Sequence, residues 1–250
     1  MRSIKGSTGD APDIAESFET GAWKFTSEVA DVFPEHVRAS VPFYDAIQDL
    51  VAECSDWLLP DGGLVADLGA ATGITVRRIM DRHPQRNVRA ALYDIEQPML
   101  DKAAELFPGD ERIQLFDHPI EIPLKHTEAD LTLALFTLQF LPLRDRMAAL
   151  RNARLCATET GALIVAEKVR PVDSRWAEIA VDVSHDWKEA HGIEASAIRA
   201  KSRALRGVLT PYPESTLLMM IKSVGWCCPE VLFRWHSWVV VGAFATVAGF

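Results

Sequence analysis

The chain has 250 residues, of which 48% are hydrophobic and 24% charged, and its formal net charge is -9. This is an ordinary globular composition with apolar residues enough for one large domain or a domain with a cap, and scattered Lys and Arg under a net negative charge argue against a broad nucleic-acid surface. No run reaches the roughly 20 apolar residues of a membrane helix. Four cysteines, two of them adjacent at Cys227-Cys228, make neither a disulfide ladder nor a spaced metal set, so no metal is expected and a reducing cytoplasm is the simplest compartment.

Residues 1 to 17 are rich in Gly, Ser, Asp and Pro and read as a mobile terminus without an apolar leader. Helical spacing follows from Ser27 to Phe33, closed by Pro34, and from Tyr44 to Leu59, closed by Pro60-Asp61-Gly62-Gly63. These helices, within a segment 18–60, would cover the mouth of whatever site follows.

Leu64 to Asp67 reads as an apolar strand that breaks into Leu68-Gly69-Ala70-Ala71-Thr72-Gly73 and enters a helix from Ile74 to His83. A tight turn at a strand's carboxyl end is where open α/β sheets bind nucleotide-like cofactors. Gly69 would let a ligand approach closely, and Gly73 would let the helix pack on the strand. The acid Asp67 beside this loop, with Ala70 and Ala71 in it, suits a cofactor bearing positive charge, S-adenosylmethionine rather than a dinucleotide. A plain strand-helix turn is the alternative.

Strands and helices then alternate: strand Val88 to Tyr93, helix Pro98 to Phe107, strand Ile113 to Phe116, strand Leu131 to Leu135, helix Arg144 to Cys156, strand Gly161 to Glu167. This rhythm predicts a Rossmann-like α/β core over 61–170, a mainly parallel sheet with helices on both faces. Asp94 ends the second strand, where a carboxylate can accept from two ribose hydroxyls or cap the next helix. Asp117 ends the third and would accept from an adenine amino group while the His118 amide donates to a ring nitrogen; a turn acid is the alternative. Leu135 and Phe136 would exclude water from the sulfonium, or belong to the core.

Residues 171–213 break the rhythm with a helical pattern rich in Trp, His, Lys and Arg, read as a cap insertion. His185 would serve there as a general base near neutral pH, and Lys188, His191 and Lys201 could recognise an acidic substrate, although a structural histidine and a solvated helix face account for the same residues. Residues 214–250 close the core with a helix from Glu214 to Val224 and a hairpin from Val231 to Thr246, bending at Arg234-Trp235-His236-Ser237. Trp226, Phe233, Trp235 and Trp238 either line a flat apolar substrate or fill the core.

Taken together, Trp23-Lys24-Phe25, Val29 to Pro34, Ser40 to Tyr44, Phe136-Thr137-Leu138-Gln139-Phe140-Leu141, Glu167-Lys168, His185-Asp186-Trp187-Lys188, Lys201 and Val208-Leu209 give a pattern that closely resembles the carboxy-S-adenosylmethionine synthases of the tRNA uridine 5-oxyacetic acid pathway. Those are class I methyltransferase folds with seven-stranded sheets. The resemblance covers residues 20–245 and implies that Tyr44, Gly69, Asp94, Asp117 and His118 meet the cofactor, with Tyr44 over the sulfonium end, and that the chain is a homodimer. Three departures stand out. Leu135 replaces the usual Asn before FTLQF, Ile95 replaces a common Asn after Asp94, and Ser202 replaces the arginine that reads the extra carboxylate, with Arg203 turned away by about 100° on a helix.

These departures predict an S-adenosylmethionine-dependent methyltransferase acting on a small molecule, with specialised metabolism as the expected setting, His185 and Tyr44 as base candidates and Lys201, Arg203, Trp187 and Trp235 toward the substrate. Carboxy-S-adenosylmethionine synthesis from prephenate is the alternative. A non-catalytic cofactor-binding subunit is the second. Neither membrane nor nucleic-acid partners are expected.

Overall fold

A computed structural model of the chain describes residues 27–126 and 128–247. The mobile terminus expected over 1–17 and the Trp23-Lys24-Phe25 segment lie outside the described residues. Two helices, α1 (Ser27–Ser40) and α2 (Tyr44–Leu58), precede an alternating series: β1 (Leu64–Leu68), α3 (Ile74–Arg82), β2 (Arg89–Asp94), α4 (Gln97–Leu106), β3 (Ile113–Asp117), β4 (Ala129–Leu135), α5 (Leu143–Cys156) and β5 (Ala157–Lys168). Then come α6 (Ser174–Ala190), α7 (Ala195–Ala204), α8 (Glu214–Ser223) and the hairpin β6 (Cys227–Trp235) and β7 (Trp238–Phe244).

The seven strands form one sheet in the order β3-β2-β1-β4-β5-β7-β6. β1 to β5 run parallel, and β7 runs antiparallel between β5 and β6. β1 therefore has β2 on one side and β4 on the other, so the chain reverses direction across the sheet beside the glycine loop. That topological switch point is where open α/β sheets leave a crevice.

Alternation along β1 sorts the core. Leu64, Ala66 and Leu68 face a cluster with Leu150 of α5 and Ile221 of α8, whereas Val65 faces Ile47 and Val51 of α2 and Ile79 of α3. Asp67 shares the parity of Val65, so its carboxyl lies on the side covered by α2. Arg78 of α3 holds that cover from below, with Asp45 at 2.6 Å and Asp49 at 2.5 Å.

Two boundaries differ from the sequence reading for physical reasons. α1 does not stop at Pro34 but carries it inside the helix to Ser40. The lost backbone bond costs roughly 3 kcal/mol, and burial of Val29, Ala30, Val37 and Val41 on either side outweighs it. β6 begins at Cys227, before Pro229 rather than after it. It is the edge strand, where a missing N–H faces solvent, and Cys228 takes a positive φ of 46° beside a register irregularity.

Candidate functional site

One cavity of about 960 Å³ opens at the switch point, at the upper end of the roughly 300–1,000 Å³ typical of small-molecule sites. Its floor is the glycine loop and the ends of β1, β2 and β4; its cover is α1 and the start of α2; its far wall is α6 and α7. Tyr44, Asp67, Gly69, Ala70, Ala71, Asp94, Ile95, His118, Leu135, His185 and Lys201 all line it.

The loop end is held by the backbone. The amides of Gly69 and Ala70 both donate to the Tyr93 carbonyl, at 2.8 and 2.9 Å. Asp94 accepts from the Ala71 amide at 2.9 Å with one carboxylate oxygen and from the Glu96 amide at 3.0 Å with the other. Each oxygen keeps a lone pair for a further donor, which fits a ribose diol. Gly69, at φ 85°, lacks a Cβ for a different reason than close ligand approach: a Cβ there would meet the Thr137 side chain at 2.3 Å. The loop and the FTLQF segment therefore interlock.

Asp67 is 2% exposed, has no basic partner among the described residues, and has its carboxyl raised to about 7 by burial first and by Asp94 second. An unpaired buried acid is costly unless a cation arrives. A sulfonium and an α-ammonium on one ligand supply two, so the residues at this end fit S-adenosylmethionine.

Tyr44 sits under the cover with its ring 6.2 Å from Phe136. Burial, aided by Asp67, pushes its hydroxyl up to about 12, so it stays protonated and does not serve as the base expected of it near neutral pH. His185 is half-buried on the far wall, and its pKa is lowered by burial and by Lys188 and Lys168, which leaves a neutral imidazole facing the cavity.

Five expected site residues do not line the cavity. Gly73, at φ 75°, packs where a Cβ would touch Leu92, Phe107 and Ala103 at 3.2 to 3.3 Å, so its place is in the join of α3 to the sheet and α4. Asp117 is exposed beside Asp94 in the β2–β3 register. Trp187 turns off the cavity face of α6 and stacks on His191 at 3.8 Å. Trp235 ends β6 and meets Phe43 at 5.6 Å. Arg203 is exposed, while Ser202 before it and Arg206 after it both reach the cavity. His118 lines the cavity, but its amide donates to the Asp94 carbonyl at 3.3 Å rather than outward. Of the tail aromatics, Trp226 is core, bonding the Leu150 carbonyl at 3.2 Å, whereas Trp238 lines the cavity.

The structure also gives partners that the sequence reading did not assign. His36 and Ser40 join α1 to the expected Lys201 of α7: the Lys201 ammonium lies against His36 and donates to Ser40 at 3.0 Å. Gln139 of FTLQF accepts from the Lys168 amide at 2.9 Å and donates its own amide to Glu167 at 2.9 Å. Arg146 pairs with that buried Glu167 at 3.4 Å and donates to the carbonyls of Leu141 and Thr210 at 2.9 and 2.5 Å. Apart from the adjacency of Glu167 and Lys168, no local spacing marks these groups, since their side-chain partners are 21 to 165 residues apart in the chain and only the Leu141 carbonyl bound by Arg146 is near.

Residues 66–165 match the methyltransferase domain family. Over nearly the whole chain the sequence is similar to carboxy-S-adenosyl-L-methionine synthases. It is 28% identical to that of Desulfotalea psychrophila, covering 95% of this chain and 96% of the relative. It is 30% identical to those of Sulfurimonas denitrificans and Methylococcus capsulatus, covering 86% and 88% of this chain and 91% and 92% of theirs. Among solved structures the fold is similar to an O-methyltransferase family protein from Burkholderia thailandensis, with a TM-score of 0.66 at 14% identity, covering 89% of this chain and 61% of that one. It is also similar to human N-acetylserotonin methyltransferase in complex with SAM, with a TM-score of 0.58 at 15% identity, covering 88% and 56%. The chain thus belongs to the carboxy-S-adenosyl-L-methionine synthase family, within the S-adenosylmethionine-dependent enzymes of methyltransferase fold.

Proposed function

We propose that the chain transfers a methyl group from S-adenosylmethionine to a small-molecule acceptor in biosynthesis. The observation that carries this reading is the α7 wall, where Ser202 lines the cavity at the position of the family's carboxylate-reading arginine and Arg203 points away. Loss of that one charged contact weakens the hold on the extra carboxylate by about 1.5–3 kcal/mol and leaves the contacts of the plain cofactor unchanged, which favours the plain one.

Bound S-adenosylmethionine supplies an electrophilic methyl carbon on a sulfonium. Asp67 balances its positive charge, Asp94 takes the ribose hydroxyls, and Tyr44, Leu135 and Phe136 keep water from the reacting end. The walls of α6 and α7 would hold the acceptor beside that end, and such positioning would supply most of the rate. His185, neutral and in the cavity, takes the proton that an O–H or N–H acceptor loses. In this reading 171–213 act as the substrate cap, 61–170 as the cofactor core, a reducing cytoplasm is the compartment and the chain is a homodimer, a state supported by the exposed Trp176 and Ile179 on α6.

A second reading is carboxy-S-adenosylmethionine synthesis from S-adenosylmethionine and prephenate. It is favoured by identity across nearly the whole length of the named relatives and by Arg206, in the turn that follows α7, lining the cavity. Incubating purified protein with S-adenosylmethionine, with and without prephenate, and reading the cofactor by mass spectrometry decides between the two. Methyl transfer expects no carboxylated product; its prephenate-dependent appearance would overturn the first reading and establish the second.

A further inference from the structure

Gln48 lies on α2 four residues after Tyr44, so the two side chains share a helix face, and both line the cavity. Its neighbours are apolar: Ile47, Val51 and Ala52 of the same helix belong to the cluster that packs on Val65 of β1. Gln48 is 1% exposed, and its side-chain oxygen is buried without a hydrogen-bond partner among the described residues. Asp67 stands on the same side of the sheet and lines the same cavity. After burial, Asp67 is the next cause that raises the Tyr44 hydroxyl, so the acid, the phenol and the amide face one space.

A buried acceptor with nothing to accept from is unfavourable, and Leu or Met would fill the same volume without that cost. The layout of the cofactor names the donor that arrives. Asp94 at the end of β2 takes the ribose hydroxyls, and His118 and Ile120 line the cavity on the β3 side of it. With the base on that side, the amino-acid arm runs the other way, over β1 to Asp67. Its α-ammonium brings three N–H donors, more than one carboxylate uses. A second carboxylate there would repel Asp67, which already meets Asp94; a neutral amide oxygen does not. We propose that Gln48 is a specificity-determining residue of the cofactor site, its side-chain oxygen accepting from the α-ammonium of S-adenosylmethionine beside Asp67. The torsion that turns a glutamine amide is broad, so the oxygen swings to the donor at little cost. The inference deepens the reading that the Asp67–Asp94 end holds the cofactor, and rests on it.

The test is calorimetric, on the full chain, with three probes. These are S-adenosylhomocysteine, its deaminated analogue, which keeps the carboxylate and lacks only the α-amine, and 5′-methylthioadenosine, which lacks the whole arm. In Gln48→Leu, S-adenosylhomocysteine is expected to bind about tenfold or more weakly, the loss of one hydrogen bond to a charged group. The other two probes should hold within about twofold. The cofactor-free variant should melt no lower than the parent, because the buried orphan is gone. A merely structural glutamine predicts the reverse, a lower Tm with equal losses on all three probes, and that result would overturn the proposal. So would an unchanged affinity for S-adenosylhomocysteine, or a loss as large on the deaminated analogue. Gln48→Met carries the same comparison if Gln48→Leu does not fold. Failure of the parent protein to bind any of the three strikes the reading of the cofactor end instead, so the two failures are distinct.

Discussion

The two ends of the cavity are charged oppositely and built differently. The loop end carries Asp67 and Asp94, and its shape is set by amides: those of Gly69 and Ala70 on the Tyr93 carbonyl and those of Ala71 and Glu96 on the Asp94 carboxylate. The cap end carries Lys168, Lys188, Lys201, His36 and His185, drawn from β5, α6, α7 and α1. A backbone-built site is rigid and accepts a constant ligand, whereas one assembled from long side chains on a helical cap can change its ligand by single substitutions. Ser202 lies on the cap end, among the side-chain-built walls.

The seam between the halves is the Arg146–Glu167 pair, with Gln139 fixing the FTLQF turn to β5 and Arg146 fixing Thr210 beyond α7. Breaking a buried pair by removing one partner leaves an uncompensated charge, worth about 3–5 kcal/mol. Arg146→Met is expected to lower the urea-unfolding free energy by that amount. S-adenosylhomocysteine binding should weaken along with stability, because Thr137 of the same turn packs on Gly69. Loss of less than about 1 kcal/mol, the scale of a surface pair, would mean that the two halves stand independently.

Asp67 sharpens the comparison from the acidic side. Its carboxyl is raised from 3.8 to about 7, chiefly by burial, so in the cofactor-free protein the folded state holds the proton more tightly than the unfolded one. Stability therefore falls as pH rises from about 4 to about 7 and stays reduced above that, by up to about 4 kcal/mol at about 1.4 kcal/mol per unit. Asp67→Asn removes the penalty and should raise the Tm of the cofactor-free protein at pH 8 by several degrees. The same change should weaken S-adenosylhomocysteine binding about tenfold and abolish the part of its affinity that grows as pH rises through 7. A variant that binds as the parent does and melts no higher would show that Asp67 meets no cation.

How much of this was legible in the sequence follows the same division. The apolar runs of β1, β2 and β4 and the glycine loop depend on neighbours in the chain, and the parallel sheet, the loop and Asp94 at its strand end could be read directly. The loop's own glycines could be located but not explained, because Gly69 answers to Thr137 and Gly73 to Leu92 and Phe107, contacts that no local pattern displays. On the cap, helical spacing does single out His185 and Lys188, yet it equally proposes Trp187, which turns away onto His191. Helical phase decides between them, and phase is set by what α6 packs on. Arg203 against Arg206 teaches the same at the end of α7: Arg206, in the turn that follows the helix, lines the cavity and Arg203 does not. Lys168 was marked only by its adjacency to Glu167, and His36 had no signal of its own, since its place comes from burial against Lys201 of another helix.

Ala71 gives the smallest expected effect and the most direct check that the acidic end is a backbone construction. It sits in the loop with φ 47°, a conformation glycine adopts freely, and it gives its amide to Asp94 at 2.9 Å. Ala71→Gly relieves left-handed strain of about 1–2 kcal/mol but adds about 0.5–1 kcal/mol of unfolded-state freedom. It also removes a methyl that packs against the cluster of Val29 and Met99, worth up to about 0.8 kcal/mol. These terms nearly cancel, so urea unfolding should shift by less than about 1 kcal/mol and S-adenosylhomocysteine affinity should hold within about twofold. The amide, which both residues carry, is what Asp94 grips. A large loss of affinity in Ala71→Gly would mean instead that the alanine methyl, and not the backbone, sets the shape of the cofactor end.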